Sequence, residues 1–143
     1  MSTKSLRVGR SKTGLGLFAR AGIAKGALVA IYRGSRIPTK VAQAREKTHG
    51  SRYMFEIDKR WTIDGSSRKN LARYANHSCR PNAEADLVGG HILLRAVTPI
   101  GPDEEITYDY GEEYFDLFIR PHGCRCEHCA EKKRKRKSNK TLR

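Results

Sequence analysis

Three short stretches of the sequence carry side chains that could do chemistry. Residues 73–82 read RYANHSCRPN, which places an imidazole, a thiol and two amides close together. Residues 107–110 read TYDY and residues 124–129 read CRCEHC, which supply two tyrosine hydroxyls and three thiols. A positioned hydroxyl can orient a reacting group, and clustered thiolates are good ligands for zinc. The side chains therefore indicate a polar reaction site and a metal centre.

The stretch 73–82 is expected to have irregular backbone. Asn76 and Asn82 favour turns, and Pro81 disfavours the helical conformation at Arg80. Irregular backbone inside a compact domain must have its hydrogen-bonding groups satisfied by other protein groups or by a ligand. A polar surface loop is the alternative for such a composition.

The cysteines suit metal ligation. Cys124, Cys126 and Cys129 are one thiolate short of a tetrahedral zinc site, and the remaining cysteine of the four in the chain is Cys79. In a reducing compartment four cysteines fit metal ligands better than disulfides. Free surface thiols are the alternative, which so tight a cluster disfavours.

A glycine motif lies near the start of the chain. Gly14, Gly16 and Ala19 nominally fit the dinucleotide-binding fingerprint G-x-G-x-x-A. That fingerprint needs a helix that opens at the glycines, whereas Gly22 and Gly26 follow here with an apolar, strand-like run. What remains is a glycine turn that lets backbone approach a ligand closely.

Short strands dominate the elements that must position these motifs. One helix is expected from Pro38 to Lys47, with Gly50 just past its end. The pair Gly89-Gly90 predicts a two-residue hairpin turn. Strand-like patterns occur at 6–8, 15–19, 27–32, 53–57, 61–64, 83–88, 91–96 and 105–110. We therefore expect a mainly β fold with short helices.

Length and charge suggest one intracellular domain with a basic tail. The chain has 143 residues, and no apolar run approaches the roughly twenty residues that cross a bilayer, so no membrane association is expected. Residues 131–143 contain eight lysines and arginines against Glu131 alone, within a net charge of +14. This tail is expected to be disordered and able to contact nucleic acid, a solvated tail being the alternative.

Four motifs in order, GLGLFA at 14–19, RYANHSCRPN, DEEITYDYG at 103–111 and CRCEHC, resemble SET-domain protein lysine methyltransferases in a compact single-domain form. The resemblance runs from about Leu6 to Cys129. It implies a SET-domain (β-clip) fold with knot-like C-terminal threading. The implied domains are a SET domain at 1–119, a post-SET zinc segment at 120–130 and the basic disordered tail at 131–143.

The same resemblance implies transfer of a methyl group from S-adenosylmethionine to a lysine side chain of a basic protein, such as a histone or another DNA-associated protein. Tyr110 matches the catalytic tyrosine, and Tyr108 and Tyr53 match residues that shape the lysine channel. His77 is expected to hold backbone and cofactor rather than to act as a general base. The implied cofactor contacts are Lys12, Gly14, Leu15, Gly16, Tyr53, Arg73, Tyr74, Asn76 and His77.

Zinc ligation by Cys79 together with Cys124, Cys126 and Cys129 is also implied by the resemblance. The spacing here is C-x-C-x2-C, whereas the familiar family spacing is C-x-C-x4-C. His122 or His128 in place of one cysteine therefore stays open as an alternative.

Product and substrate preferences follow from two further features. A tyrosine at position 108 can hold a water beside the amine, which predicts mainly monomethylation. Residues 103–119 contain seven acids and no lysine or arginine, so Glu112, Glu113 and Asp116 are expected at the mouth of a groove for basic peptide, a solvated acidic face being the alternative.

A rival interpretation from another class is a non-catalytic, zinc-containing basic module that binds nucleic acid. For either class the expected location is cytoplasmic in a microbe, and nuclear or chromatin-associated in a eukaryote or for a host-directed effector.

Overall fold

The computed structural model describes residues 5–141, and only the backbone of Glu113 and of residues 136–141. Three small sheets, with strand orders β1-β2-β10-β7, β3-β9-β8 and β4-β6-β5, surround one apolar core. The strands are β1 (Leu6–Ser11), β2 (Gly14–Ala19), β3 (Leu28–Tyr32), β4 (Ser35–Pro38), β5 (Met54–Glu56), β6 (Trp61–Asp64), β7 (Asn76–His77), β8 (Ala83–Val88), β9 (His91–Ala96) and β10 (Glu105–Tyr108). The expected mainly β class is confirmed.

The first sheet brings three of the four sequence motifs together. Strands β1 and β2 form an antiparallel hairpin, and β10 extends that sheet along β2. Strand β7 then pairs in parallel with β10, so that Asn76 lies opposite Thr107 and His77 opposite Tyr108. Parallel neighbours cannot be joined by a tight turn, so residues 78–104 make the long connection between these strands.

The second sheet confirms the predicted hairpin. Strands β8 and β9 pair from Ala83 with Ala96 to Val88 with His91. The turn residues Gly89 and Gly90 have φ values of 57° and 79°, which glycine adopts at little cost and a two-residue turn of this hand requires.

The third sheet supports the one long helix of the domain core. Helix α1 (Thr39–His49) begins directly after β4 and ends where Gly50 adopts a left-handed conformation. The Thr39 hydroxyl lies 2.9 Å from that of Thr62 in β6, and both side chains are buried. The predicted helix is confirmed with shifted ends, whereas β4 was not predicted.

The C-terminal part of the described chain is helical. A series of short turns, α2 (Glu112–Tyr114), a π-helical turn (Phe115–Ile119) and a 3-10 turn (Arg120–His122), leads to α3 (Glu127–Thr141). Residues 131–141 continue α3, and lysine, arginine and glutamate are good helix formers. The expected disorder of the tail stays a prediction. Residues 142 and 143 lie outside the described residues.

Two expectations concern the chain path. The predicted strand 105–110 ends at Tyr108, so Tyr110 lies beyond regular β structure. The knot-like threading stays a prediction.

In the described part of the chain, no helix is both long and apolar enough to cross a membrane.

Candidate active site and cysteine cluster

Tyr110 is held at the end of β10 by its hydroxyl and its backbone. The hydroxyl donates a hydrogen bond of 2.5 Å to the carbonyl of Ala75, and the backbone N–H donates to His77 Nδ1 over 3.1 Å. Its ring lies 4.8 Å from that of Tyr108, so the two tyrosines meet although the strand ends between them. Burial raises the pKa of both hydroxyls well above the ordinary value, which keeps them protonated.

The polar side chains of residues 73–82 are largely satisfied by protein groups. The Asn76 amide donates to the carbonyl of Leu15 over 2.9 Å and to the Glu105 carboxylate over 2.8 Å. The Asn82 amide donates to the Glu105 carbonyl over 2.7 Å and accepts from the backbone N–H of Thr107 over 2.9 Å. These bonds fix the irregular stretch against β2 and β10.

A cavity of about 680 Å³ lies between the stretch 73–82 and the C-terminal residues 118–126. Its lining combines apolar, aromatic and polar groups, the mixture typical of a ligand site. The expected cofactor residues in its lining are Leu15, Tyr53, Arg73, Tyr74, Asn76 and His77. Tyr110, Tyr114, Cys124 and Cys126 line it as well.

A second cavity of about 520 Å³ lies beside α1 and β5 and reaches Tyr108. Its apolar and aromatic wall includes Tyr32 and Phe55, whose rings are 5.1 Å apart. Charged side chains also line it, the acids Glu46, Glu56 and Glu112 and the bases Lys47, Arg52 and Arg73. The two cavities share five lining residues, Arg52, Tyr53, Arg73, Tyr110 and Tyr114. Two ligands could therefore meet at the Tyr110 hydroxyl.

Arg73 lines both cavities, and three contacts hold its guanidinium. Its guanidinium lies 4.0 Å above the ring of Tyr53 and 5.1 Å from that of Tyr74, and it also donates to the Ser66 carbonyl. Its Nε is buried without a hydrogen-bond partner, the one such side-chain atom within residues 5–141 whose side chains are described. A buried unpaired donor is costly, so Arg73 is held in an energetically unfavourable environment.

Four sulfurs form a cluster at the edge of the first cavity. The Sγ atoms of Cys79, Cys124, Cys126 and Cys129 all lie within 4.8 Å of one another. The Cys79 sulfur is 3.7 Å from Cys129 and 4.0 Å from Cys124. Tetrahedral zinc with bonds of about 2.3 Å requires sulfurs roughly 3.8 Å apart, so the residues fit zinc.

The cluster also has the electrostatics of a metal site. Burial and neighbouring thiols raise the pKa of Cys124 to about 11. Burial opposes ionisation of Cys126 too, but hydrogen bonds from Cys79 and Cys129 outweigh it and lower the pKa to about 7. A cation bound by the four sulfurs would stabilise their thiolate forms.

The remaining expected cofactor residues lie in the β1–β2 turn and in the first half of β2. The Lys12 ammonium forms an exposed ion pair with Glu127 over 3.2 Å, and Gly14 occupies the turn at a φ of 119°. A Cβ at Gly16 would lie 2.7 Å from the Glu105 carboxylate and 3.3 Å from the Asn76 amide, so glycine there makes room for that hydrogen bond.

The acids that were expected at the mouth of the peptide groove lie in different surroundings. Glu112 lines the second cavity, whereas Asp116 forms an ion pair of 3.0 Å with Arg120 one helical turn away. The side chain of Glu113 lies outside the described part of the structure.

Sequence reasoning missed Glu46, Glu56, Arg52 and the aromatics at 114 and 118. The recurrence Tyr110, Tyr114, Phe118 at four-residue spacing was the available signal.

Comparison with known proteins agrees with this geometry. The family model described as SET domain matches residues 14–111. The chain is 41% identical over 136 residues to human histone-lysine N-methyltransferase SETD1A, covering 88% of this chain and 8% of that protein. It is 39% identical over 117 residues to histone-lysine N-methyltransferase set-2 of Caenorhabditis elegans, covering 75% and 8%.

A solved structure is similar in three dimensions. It is a humanized mutant of the Chaetomium thermophilum Polycomb Repressive Complex 2 bound to the inhibitor GSK343, with a TM-score of 0.67 and 30% identity. The match covers 74% of this chain and 15% of that one. The chain thus spans less than a tenth of the two methyltransferases compared above. Since the family model covers residues 14–111, the chain belongs to the SET domain family.

Proposed function

We propose that this chain transfers a methyl group from S-adenosylmethionine to the side-chain amine of a lysine in a protein substrate. The observation that carries the proposal is the pair of cavities that share Tyr53, Arg73, Tyr110 and their neighbours. Displacement at a sulfonium methyl requires donor and amine to approach along one line, and two binding sites that meet at one point support that arrangement. The substrate is a histone or another basic DNA-associated protein.

The first cavity is the proposed cofactor site. Asn76, His77 and Leu15 line it next to the strand pair β7 and β10. The guanidinium of Arg73, a residue that lines this cavity, would suit the carboxylate of an amino-acid-containing ligand. The cofactor supplies the electrophilic methyl group. Lys12, Gly14 and Gly16 support this site by shaping the turn that presents Leu15.

The second cavity is the proposed lysine channel. Ionised lysine at pH 8 carries a deprotonation cost of about 3 kcal/mol, and an aromatic wall disfavours the cation. Tyr110 already donates its hydroxyl proton to Ala75, so its oxygen remains an acceptor for the incoming amine. Tyr53 closes the wall between the two cavities.

Tyr108 supports mainly monomethylation. Its side chain is 6% exposed and lines the second cavity. Its hydroxyl makes no hydrogen bond to another residue of the described part of the chain, so it is available to hold a water beside the amine. A methyl group that displaced this water could not replace its hydrogen bond.

Zinc is the proposed ion of the cysteine cluster, held by Cys79, Cys124, Cys126 and Cys129. Cys124 and Cys126 also line the cofactor cavity. Formation of the metal site therefore completes one wall of the cofactor site. The four sulfurs leave no ligand position for His122 or His128.

Two charged surfaces fit a chromatin-like substrate. The acids around the second cavity would attract a basic peptide, and the exposed basic side chains of 132–135 in α3 would contact nucleic acid. A nuclear or chromatin-associated location would suit a eukaryotic source, and a cytoplasmic one a microbial source.

Two assays test the proposal. Calorimetric titration with S-adenosylmethionine should show one site, and labelled methyl groups should pass to histones or to bacterial DNA-binding proteins. The rival nucleic-acid-binding module predicts salt-sensitive DNA binding without cofactor affinity. That second result would reject the enzyme.

A further inference from the structure

His77 lies between the cysteine cluster and Tyr110, and its ring contacts both. Its Nε2 is 3.4 Å from the Cys79 sulfur, and its Nδ1 is 3.1 Å from the backbone nitrogen of Tyr110. The ring also packs 5.4 Å from the rings of Tyr110 and Phe115, and its side chain is 6% exposed. This placement leaves the imidazole little freedom to rotate.

The partner of Nδ1 determines the tautomer. A backbone N–H can only donate, so Nδ1 must accept and carries no hydrogen. In a neutral imidazole the hydrogen then resides on Nε2, which faces the Cys79 sulfur. The alternative is a hydrogen on Nδ1 directed at Asp109, but that carboxylate is 3.8 Å away and already accepts from the Gly111 N–H over 2.9 Å.

We propose that His77 is a positioning residue that joins the cysteine cluster to the backbone of Tyr110 through one Nε2–H tautomer. Its Nε2–H donates to the Cys79 sulfur, and its Nδ1 accepts from Tyr110. A thiolate that ligates zinc carries negative charge and is a better acceptor than a thiol, so the metal-loaded cluster strengthens the first bond. Tyr110 is thereby fixed by the cluster as well as by Ala75.

The proposal rests on zinc in the cluster but not on methyl transfer, so its tests remain informative if the chain proves inactive. The first test is long-range proton–nitrogen NMR of the zinc-loaded chain, which distinguishes the two imidazole tautomers. We expect His77 in the Nε2–H form. The Nδ1–H form or an imidazolium at neutral pH would overturn the proposal, and this measurement needs no variant.

The second test separates the two hydrogen bonds by substitution. In His77→Gln the side-chain amide takes the place of Nε2 and can still donate to Cys79. In His77→Asn the amide oxygen takes the place of Nδ1 and can still accept from Tyr110, but no group reaches Cys79. Competition with a chromogenic chelator should show zinc affinity within about threefold of wild type for Gln and roughly tenfold to a hundredfold weaker for Asn. His91, exposed in β9, supplies the control pair His91→Gln and His91→Asn.

Equal zinc affinities for the two His77 variants would overturn the proposal. The amide of Tyr110 gives a further readout in the wild-type chain. Its hydrogen exchange should accelerate when zinc is removed, more than that of Ile106, which is buried within β10. Equal acceleration at both amides would indicate general loosening and contradict the link.

Discussion

The Tyr110 hydroxyl donates a hydrogen bond of 2.5 Å to the backbone carbonyl of Ala75, the residue directly before β7. Ala75 precedes β7 and Tyr110 follows β10, the two paired strands that carry the sequence motifs. Ala75 is 1% exposed. The bond uses the only hydrogen of the hydroxyl and leaves its lone pairs directed to other groups. Tyr110 is therefore suited to orient an amine by accepting from it.

Tyr110→Phe should lower the rate of the first methyl transfer by about 100-fold or more, because it removes the hydroxyl that is proposed to orient the amine. Single-turnover transfer to a lysine peptide measures this rate, and calorimetry checks that the cofactor still binds. A variant with wild-type turnover would remove Tyr110 from the catalytic site.

Tyr108→Phe should shift the product from monomethyl-lysine toward dimethyl- and trimethyl-lysine while the first transfer is largely preserved. The loss of the hydroxyl removes the group that is proposed to hold a water beside the amine, and so frees that space. Mass spectrometry of a single-lysine peptide run to completion gives the product distribution. Abundant trimethyl-lysine from the wild-type enzyme would refute the proposed role of Tyr108.

Glu112→Lys should raise the Michaelis constant for a basic peptide several-fold at low salt, because Glu112 lines the proposed lysine channel. Asp116→Lys is the matched control, since Asp116 pairs with Arg120 outside that lining. Initial rates over a range of ionic strengths make the comparison. The same constant for Glu112→Lys and wild type at every ionic strength would rule out steering at this position.

Zinc removal should abolish turnover while most of the β core stays folded. The cluster joins residue 79 to residues 124–129, and two of its cysteines line the cofactor cavity. A strong chelator followed by circular dichroism and a transfer assay tests this coupling. Undiminished turnover in metal-depleted protein would contradict it.

The rate of methyl transfer should rise with pH as the substrate lysine loses its proton, and it should show no falling limb up to about pH 10. The reason is that burial raises the pKa of Tyr110 and Tyr108, so both hydroxyls stay protonated over this range. Transfer rates measured from pH 7 to 10 test the sign. A fall in rate between pH 8 and 9.5 with folded, zinc-loaded protein would oppose it.

Local signals in the sequence predicted local structure well. Gly89-Gly90 predicted the β8–β9 hairpin, and Pro38 with Gly50 bracketed α1. Strand β4 carries no such pattern, since it is four residues long and ends at a proline. The helical assignment of residues 131–141 was not predicted, because the composition of the tail was read from its charge and not from its helix propensity.

The site depended on contacts between distant residues, which periodicity does not reveal. The cluster joins Cys79 to cysteines at least 45 positions later, and only the family resemblance indicated that pairing. The hydrogen bond from Asn76 to Glu105 depends on packing, and so does the position of the acids Glu46 and Glu56 in the second cavity. Sequence reasoning therefore named more of the residues that line the first cavity than of those that line the second.

The most direct test of the account is transfer of an isotopically labelled methyl group from S-adenosylmethionine to a histone, followed by tandem mass spectrometry. The zinc-loaded chain is predicted to place one labelled methyl on a lysine side-chain amine, and Tyr110→Phe to leave that lysine unmodified. Absence of label from every lysine with the wild-type chain, or equal labelling by Tyr110→Phe, would contradict the account.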